Sequence, residues 1–172
     1  MANANLQPMR YSYSQGLYST AVDNSQLEDT AQTFYDGALV VMVAGYVQEC
    51  GANPTRIDGV AIGPALNLTA HGPSHMFTLP NDDMIYEISV DKASAQGGAG
   101  AILTQAQIGT TFGVTKDTLG SSAAGTPLYW YLDVDKSAAN QRVLLIGVPV
   151  FSPLGTVNGR AYVKFLQGQV LQ

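Results

Sequence analysis

The side chains with the greatest chemical potential are one cysteine, two histidines and a pair of adjacent aspartates. Cys50 is the single thiol of the chain, and His71 and His75 are its only histidines. Cys50 could act as a nucleophile only with a histidine beside it to take its proton. Asp82 and Asp83 could do acid–base chemistry only if they were buried beside a further partner. Either arrangement would define a small hydrolase on a β scaffold, one of the alternatives kept open here.

The histidine pair does not have the surroundings of a metal site. His71 and His75 lie four residues apart, a spacing that places two ligands on one face of a helix. The intervening Gly72 and Pro73 exclude that helix, and no cysteine or carboxylate nearby in the sequence completes a ligand set. We therefore interpret both histidines as loop residues that bind no metal.

Two further motifs fail on spacing. Residues 133–137 begin like a calcium-binding loop, but Ala138 and Leu144 occupy the positions that need Gly and Glu. The glycines of residues 97–100 lack the spacing and the following helix of a dinucleotide-binding turn. The sequence therefore predicts no catalytic residues, no bound cofactor and no metal, and a protein that is not an enzyme.

Charged residues are scarce in this chain. They make up 12% of its 172 residues, against about 25% in typical soluble domains. Such a chain either exposes uncharged polar side chains or buries its surface against partners. The net charge of −5 leaves no basic patch for phosphates, so we expect no nucleic-acid partner. We also expect no membrane partner, since no apolar run approaches the roughly 20 residues of a spanning helix.

Short apolar runs punctuated by glycine predict an all-β fold. Residues 34–62 contain two such runs separated by Gly45, and residues 84–90 alternate apolar and polar side chains with the period of a strand. Further strands are predicted at residues 110–114, 128–134, 142–151 and 159–166, with one short helical turn at 104–109. Seven or eight strands at this spacing favour a small antiparallel barrel or a sandwich.

The domain organisation follows from composition. Residues 1–33 are rich in Asn, Gln, Ser and Tyr and have no long apolar run, which predicts an extended N-terminal arm. The alternative is a disordered terminus. Residues 34–172 form the β domain, with one long loop at residues 63–83. Tyrosines are anchors that lose little entropy on binding, so we favour an arm that docks on a neighbouring subunit.

The pattern of strands and turns resembles the capsid decoration, or cement, proteins of tailed bacteriophages. The likeness runs from residue 34 to the C-terminus and consists of strand-and-turn spacing. The segments that carry it are residues 36–40, 45–47, 57–61, 108–112, 142–146 and 159–166.

The resemblance implies a β-barrel or β-tulip-like body that binds the outside of an expanded phage head. Its partners would be the major capsid protein and neighbouring copies of itself, as a homotrimer. The protein would be made in the host cytoplasm and end on the outer surface of the virion. The longer arm and the insertion at 63–83 depart from the simplest members of that family. The candidate partner contacts are Leu6, Met9, Tyr11, Tyr13, Leu17, Tyr18, His71 and His75.

Two non-enzymatic alternatives stay open. Tyr129, Trp130 and Tyr131 could stack on sugar rings, which would make the chain a carbohydrate- or host-binding β-sandwich on the virion. A minor capsid or tail protein is the other, because such proteins share β-rich, weakly charged sequences.

Overall fold

The computed structural model describes residues 7–9, 22–23, 26–74, 77–78, 84–92, 101–116, 130–135 and 140–166. Over these ranges the chain forms twelve β-strands and one 3-10 helix, Gln105–Gln107. The strands are β1 (Gln7–Met9), β2 (Val22–Asp23), β3 (Leu27–Glu28), β4 (Leu39–Val43), β5 (Tyr46–Glu49), β6 (Gly59–Ala61), β7 (Phe77–Thr78), β8 (Ile85–Asp91), β9 (Thr111–Lys116), β10 (Trp130–Asp133), β11 (Gln141–Gly147) and β12 (Arg160–Phe165).

Five strands from the second half of the chain close into a barrel. Their order is β8-β10-β9-β11-β12, and β12 pairs back onto β8. All these pairs are antiparallel except β8 and β10, which are parallel. One edge of β8 has two partners: β1 pairs with its first residues, 85–87, and β10 pairs with its last residues, 89–91. Closure leaves these five strands without the open edge that favours aggregation.

The first half of the chain forms a second, curled sheet in the order β2-β7-β6-β4-β5-β3. Strands β4 and β5 are joined by a two-residue hairpin in which Ala44 and Gly45 both have positive φ, 51° and 87°. Such a turn matches the twist of the flanking strands. Strand β3 joins β5 in parallel, and Ser74 forms a bridge to Leu27 on the other edge of β3.

Both sheets bury their inner faces in one hydrophobic core. Alternating residues of β8 and β12 point into it: Tyr86, Ile88, Val90, Ala161, Val163 and Phe165. The curled sheet adds Leu39, Val47, Ile57, Val60 and Phe77 to the same cluster. This alternation buries apolar side chains on one face of a strand and leaves the other face for polar groups.

Polar side chains join the two sheets at the edge of this core. Glu49 of β5 forms an ion pair with Lys116 of β9 and accepts a hydrogen bond from the indole Nε1 of Trp130, at 3.3 Å. Asn140 donates its backbone N–H to Asn53 Oδ1 at 3.1 Å and its side-chain amide to the Asn53 carbonyl at 2.9 Å. The barrel and the curled sheet are therefore held together by directed bonds as well as by apolar contact.

The predicted all-β class and the barrel are confirmed. The barrel is closed, although two pairs among the described strands, β8–β10 and β3–β5, are parallel. The helical turn is shorter than expected: Gln107 Oε1 accepts the Thr104 N–H at 2.7 Å, and Gly109 has a φ of 82°. The strand predicted at 142–151 ends at Gly147, because Pro149 has no N–H to donate to a ladder.

Parts of the predicted arm and loop contribute to the curled sheet. Strand β3 carries Glu28, which is fully buried, and Phe34 is also buried, so the body includes residues from 26 onward. Strand β7, within the stretch expected to be a loop, pairs with both β6 and β2.

Replacing Leu145 by alanine should destabilise the whole molecule. Leu145 is fully buried in the shared core, and such truncations typically cost about 2–5 kcal/mol of unfolding free energy. Urea unfolding can be followed by Trp130 fluorescence, which reports on the barrel, and by far-ultraviolet circular dichroism. The midpoints seen by the two probes should fall together to the same lower urea concentration. The matched control, Leu66→Ala at a half-exposed position, should change stability by less than about 0.5 kcal/mol. Separate transitions for the two probes would show that the sheets fold independently.

Candidate interaction surfaces

Residues 62–74 lie against β3 and satisfy its outer edge. The Gly72 N–H donates to the Glu28 carbonyl at 3.0 Å, and the Ala31 N–H donates to the Leu68 carbonyl at 2.8 Å. The buried Glu28 carboxylate also accepts the N–H of Leu66 through Oε1 at 2.8 Å. A buried carboxylate that accepts a backbone N–H makes a stronger bond than a neutral group would. This loop is therefore fixed in position and presents its side chains from a defined surface.

His71 lies on that surface in a small polar cluster. Its Nδ1 is 3.2 Å from Asp29 Oδ1, and its ring stacks on Tyr46 with centroids 3.7 Å apart and planes 12° from parallel. Asp29 also accepts hydrogen bonds from the Thr30 N–H, at 2.7 Å, and from the Gln48 side-chain amide. Nearly half of the His71 side chain is exposed. The cluster clamps the loop to β3 and β5.

The Asp29 pKa is lowered from its ordinary value. The hydrogen bond from the Thr30 backbone N–H is the largest cause, and it outweighs the opposing effect of partial desolvation. The Gln48 amide and the charge of His71 lower the pKa further. Asp29 is therefore an anchor for its neighbours, held in the charged form, and is unsuited to act as a general base near neutral pH.

Cys50 is held in the neutral thiol form. It is 4% exposed, and its Sγ donates to the carbonyl of Arg56 at 3.6 Å. Burial, and then the nearby carboxylates Asp58 and Glu49, raise the Cys50 pKa well above its ordinary value. Since the thiolate is the nucleophile, this environment argues against a catalytic role for Cys50.

Asp58 is a second buried carboxylate with structural partners. Its Oδ2 accepts the N–H of Met42 at 2.7 Å, and its Oδ1 accepts Arg56 Nε at 2.7 Å. The ion pair with Arg56 and the bond to β4 satisfy a charge that would otherwise be costly to bury. The burial of Asp58 could not be predicted from the sequence, because an aspartate in a strand pattern normally lies on the solvent face.

Most of the exposed large apolar side chains lie in two regions, and two further ones, Leu27 and Val43, lie at the ends of β3 and β4. The first surrounds the 62–74 loop and includes Tyr35, Ile62 and Leu66, which are 46%, 37% and 50% exposed. The second is the connection between β11 and β12, where Val150 is 97% exposed and Phe151 is 72% exposed. Isolated exposed apolar residues are ordinary, but adjacent ones at the tip of a turn are characteristic of a contact surface.

The second region, which we call the apolar tip, comprises Val150 and Phe151 together with the neighbouring Val157 and Ile102. A bridge pairs Ile102 with Val157, and both side chains are partly exposed, 37% and 47%. The Ser152 N–H donates to the Pro149 carbonyl at 2.9 Å, which closes the turn that carries Val150 and Phe151.

Hydrogen bonds hold the two segments of the apolar tip together and join the tip to β12. The Gly155 N–H donates to the Leu103 carbonyl at 3.0 Å, and the Asn158 N–H donates to the Ala101 carbonyl at 2.8 Å. Ser152 Oγ accepts the N–H of Arg160 at 2.8 Å, at the start of β12. A Cβ at Gly159 would lie 2.5 Å from that hydroxyl, so a glycine is needed there.

Most of the predicted contact residues lie outside the described residues. Leu6, Tyr11, Tyr13, Leu17, Tyr18 and His75 are in this group. Met9 ends β1, where its backbone pairs with Ile85. His71 lies on the surface in the cluster with Asp29 and Tyr46, as described above. The predicted set therefore remains untested as a contact surface.

The sugar-stacking alternative does not fit the positions of its aromatic residues. Trp130 and Tyr131 are both fully buried, one on each face of β10, and a buried ring cannot stack on a sugar. Tyr129 lies outside the described residues, as do Asp82 and Asp83 of the hydrolase alternative. Among the residues that the structure describes, no three histidine, cysteine or acidic side chains are grouped to hold a metal ion.

Sequence reasoning missed the apolar tip. Residues 142–151 read as one continuous strand, in which Val150 and Phe151 would alternate between the two faces. The available signal was the pair Pro149 and Pro153, since two prolines four residues apart interrupt a ladder and favour turns.

No protein-family model matches the sequence, and neither a curated protein nor a solved structure shows significant similarity to it. Within the described ranges, no helix has the length and apolar character needed to cross a membrane.

Asp29→Asn should reduce the dependence of stability on acid pH. Because the folded-state pKa is lowered, charged Asp29 stabilises the fold above the pKa of the unfolded chain, near pH 4, and this stability is lost as the pH falls through the lower folded value. Urea unfolding measured from about pH 7 down to about pH 2 should give a higher free energy of unfolding for wild type than for the variant near neutral pH. The difference between the two should disappear in acid. Repeating the Asp29→Asn comparison in a His71→Gln protein shows how much of this pH dependence comes from the contact with His71. A gap that stays constant with pH would contradict the assignment.

Cys50 should be inert in the folded protein. Its burial and raised pKa predict no labelling by a disulfide reagent at mildly alkaline pH, and labelling of the one thiol per chain after unfolding in guanidinium. Free glutathione in the same reaction is the control for reagent activity. Rapid labelling of the native protein would reopen the nucleophile hypothesis.

Proposed function

We propose that this chain is a structural virion protein that binds the outer surface of a phage head and stabilises the shell. The observation that carries the proposal is a pair of ordered, exposed apolar regions on a body with very few charges. A surface of this kind is suited to being covered by a partner. The resemblance of the strand spacing to decoration proteins supplies the class of partner, the major capsid protein, and neighbouring copies in a homotrimer.

The chemistry of the described polar residues supports a structural role. Glu28, Asp58 and Glu49 are each engaged with backbone or side-chain donors of the fold itself. Such bonds fix loops and join sheets. They do not leave these carboxylates directed toward a substrate.

Repeated attachment explains how modest contacts could stabilise a shell. Each copy needs only a small apolar contact when many copies bind a closed lattice, since linked contacts raise the effective concentration of the next. A rigid barrel is suited to this role because little conformational entropy is lost when a fixed surface binds.

The direct test is mass spectrometry of purified virions, with the copy number per particle. Hundreds of copies would support a shell component, and release of the protein should lower the temperature at which heads rupture. A few copies per particle would favour the minor capsid or tail alternative instead.

Deleting residues 1–21 should weaken binding to heads while the body stays folded. The truncation removes the predicted contacts from Leu6 to Tyr18 together with β1, but it keeps the five strands of the closed barrel, β3 and every member of the shared core. Co-sedimentation with heads stripped of this protein measures binding, and circular dichroism checks the fold. The control is a full-length chain with Tyr11, Tyr13 and Tyr18 changed to Phe, which should retain most of the binding. Equal binding by the truncated and full-length chains would rule out the arm as a contact.

A further inference from the structure

We propose that the apolar tip inserts Val150 and Phe151 into an uncharged apolar pocket on the outer surface of the shell. This inference rests on the proposed function and identifies the part of the described surface that makes the contact. Phe151 and Val150 are adjacent, 72% and 97% exposed, and lie on a closed turn.

The tip is prepared for binding before any partner arrives. The turn is closed by the bond from Ser152 to Pro149, and the loop is fixed to residues 101 and 103 by backbone hydrogen bonds at 2.8 and 3.0 Å. Thr156 adds a bond from its hydroxyl to the Pro153 carbonyl at 2.7 Å. A loop held in this way loses little entropy when it is covered, so most of the gain from burying an aromatic ring remains available for binding.

The charge pattern identifies the chemistry of the partner. No charged residue occurs in residues 143–159, which contain the turn, or in residues 93–115, which contain Ile102. Since the two segments that form the tip carry no charged side chain, burying them incurs no cost of charge desolvation, which suits an uncharged protein pocket.

The same pattern disfavours a lipid surface. Membrane-inserting loops and helices are normally flanked by lysine or arginine that contacts anionic headgroups. The two arginines that bracket the tip segment are already engaged: Arg160 bonds to Glu87 and Ser89 at 2.7 and 2.9 Å, and Arg142 bonds to the Pro54 carbonyl at 3.1 Å. The net charge of −5 would further oppose an anionic bilayer.

The test compares the double variant Val150→Ser/Phe151→Ser with wild type in binding to heads stripped of this protein. Removing an exposed aromatic anchor should weaken binding about tenfold or more. Val43→Ser, 43% exposed at the end of β4 and in neither apolar region, is the matched control and should bind as wild type does. Both variants should keep the wild-type unfolding midpoint, because the changed side chains are exposed.

The outcomes separate this inference from the proposed function. If wild type itself does not bind heads, the proposed function fails and this inference fails with it. If wild type and the double variant bind equally, the tip is not the contact, while the proposed function stands. Two further results would overturn the assignment of the occupant: Phe151-dependent binding to vesicles of phosphatidylcholine with phosphatidylglycerol, or dissociation of a homo-oligomer by the double variant in light scattering.

Discussion

The closed barrel and the curled sheet share one hydrophobic core, and the rest of the molecule depends on that shared burial. The barrel encloses its own interior, and the buried side chains of the curled sheet belong to the same continuous hydrophobic cluster, so the two sheets are stabilised together. Glu49 lies at the boundary and bonds to both Lys116 and Trp130 of the barrel. A partly buried ion pair of this kind contributes modestly by itself, but it fixes the orientation of one sheet on the other.

Buried carboxylates organise the loops around that core. Glu28 and Asp58 are both fully buried, and each accepts a backbone N–H from a segment distant in sequence. Breaking such a bond leaves a buried acceptor without its donor. The resulting loss of unfolding free energy is larger than the net contribution of the intact hydrogen bond. The 62–74 loop is therefore held by a buried acceptor, because Glu28 Oε1 accepts the Leu66 N–H at 2.8 Å. The consequence for function is a surface whose shape is set before contact.

The sequence was sufficient for the class of fold but not for its topology. Alternation at β8 and β12 is visible in the residues, because period-two burial is a local property. The parallel pairing of β8 with β10 is not, since it joins segments about forty residues apart in the chain. The burial of Asp58 and of Tyr131 on the outer face of β10 also escaped, because what covers a side chain is decided by tertiary packing. For the candidate surface, His71 was located as a loop residue, whereas its stacking on Tyr46 depends on the path of the loop past β5.

Residues 143–159 contain no charged side chain, and this determines how a contact made by the tip would depend on salt concentration. Contacts between exposed charges weaken as dissolved salt screens them, over about 10 Å at 0.1 M. An aromatic ring in a dry pocket is not screened, and sulfate or phosphate strengthens its burial by being excluded from the protein surface. A contact made through this tip would therefore persist at salt concentrations that weaken a contact made by exposed ion pairs.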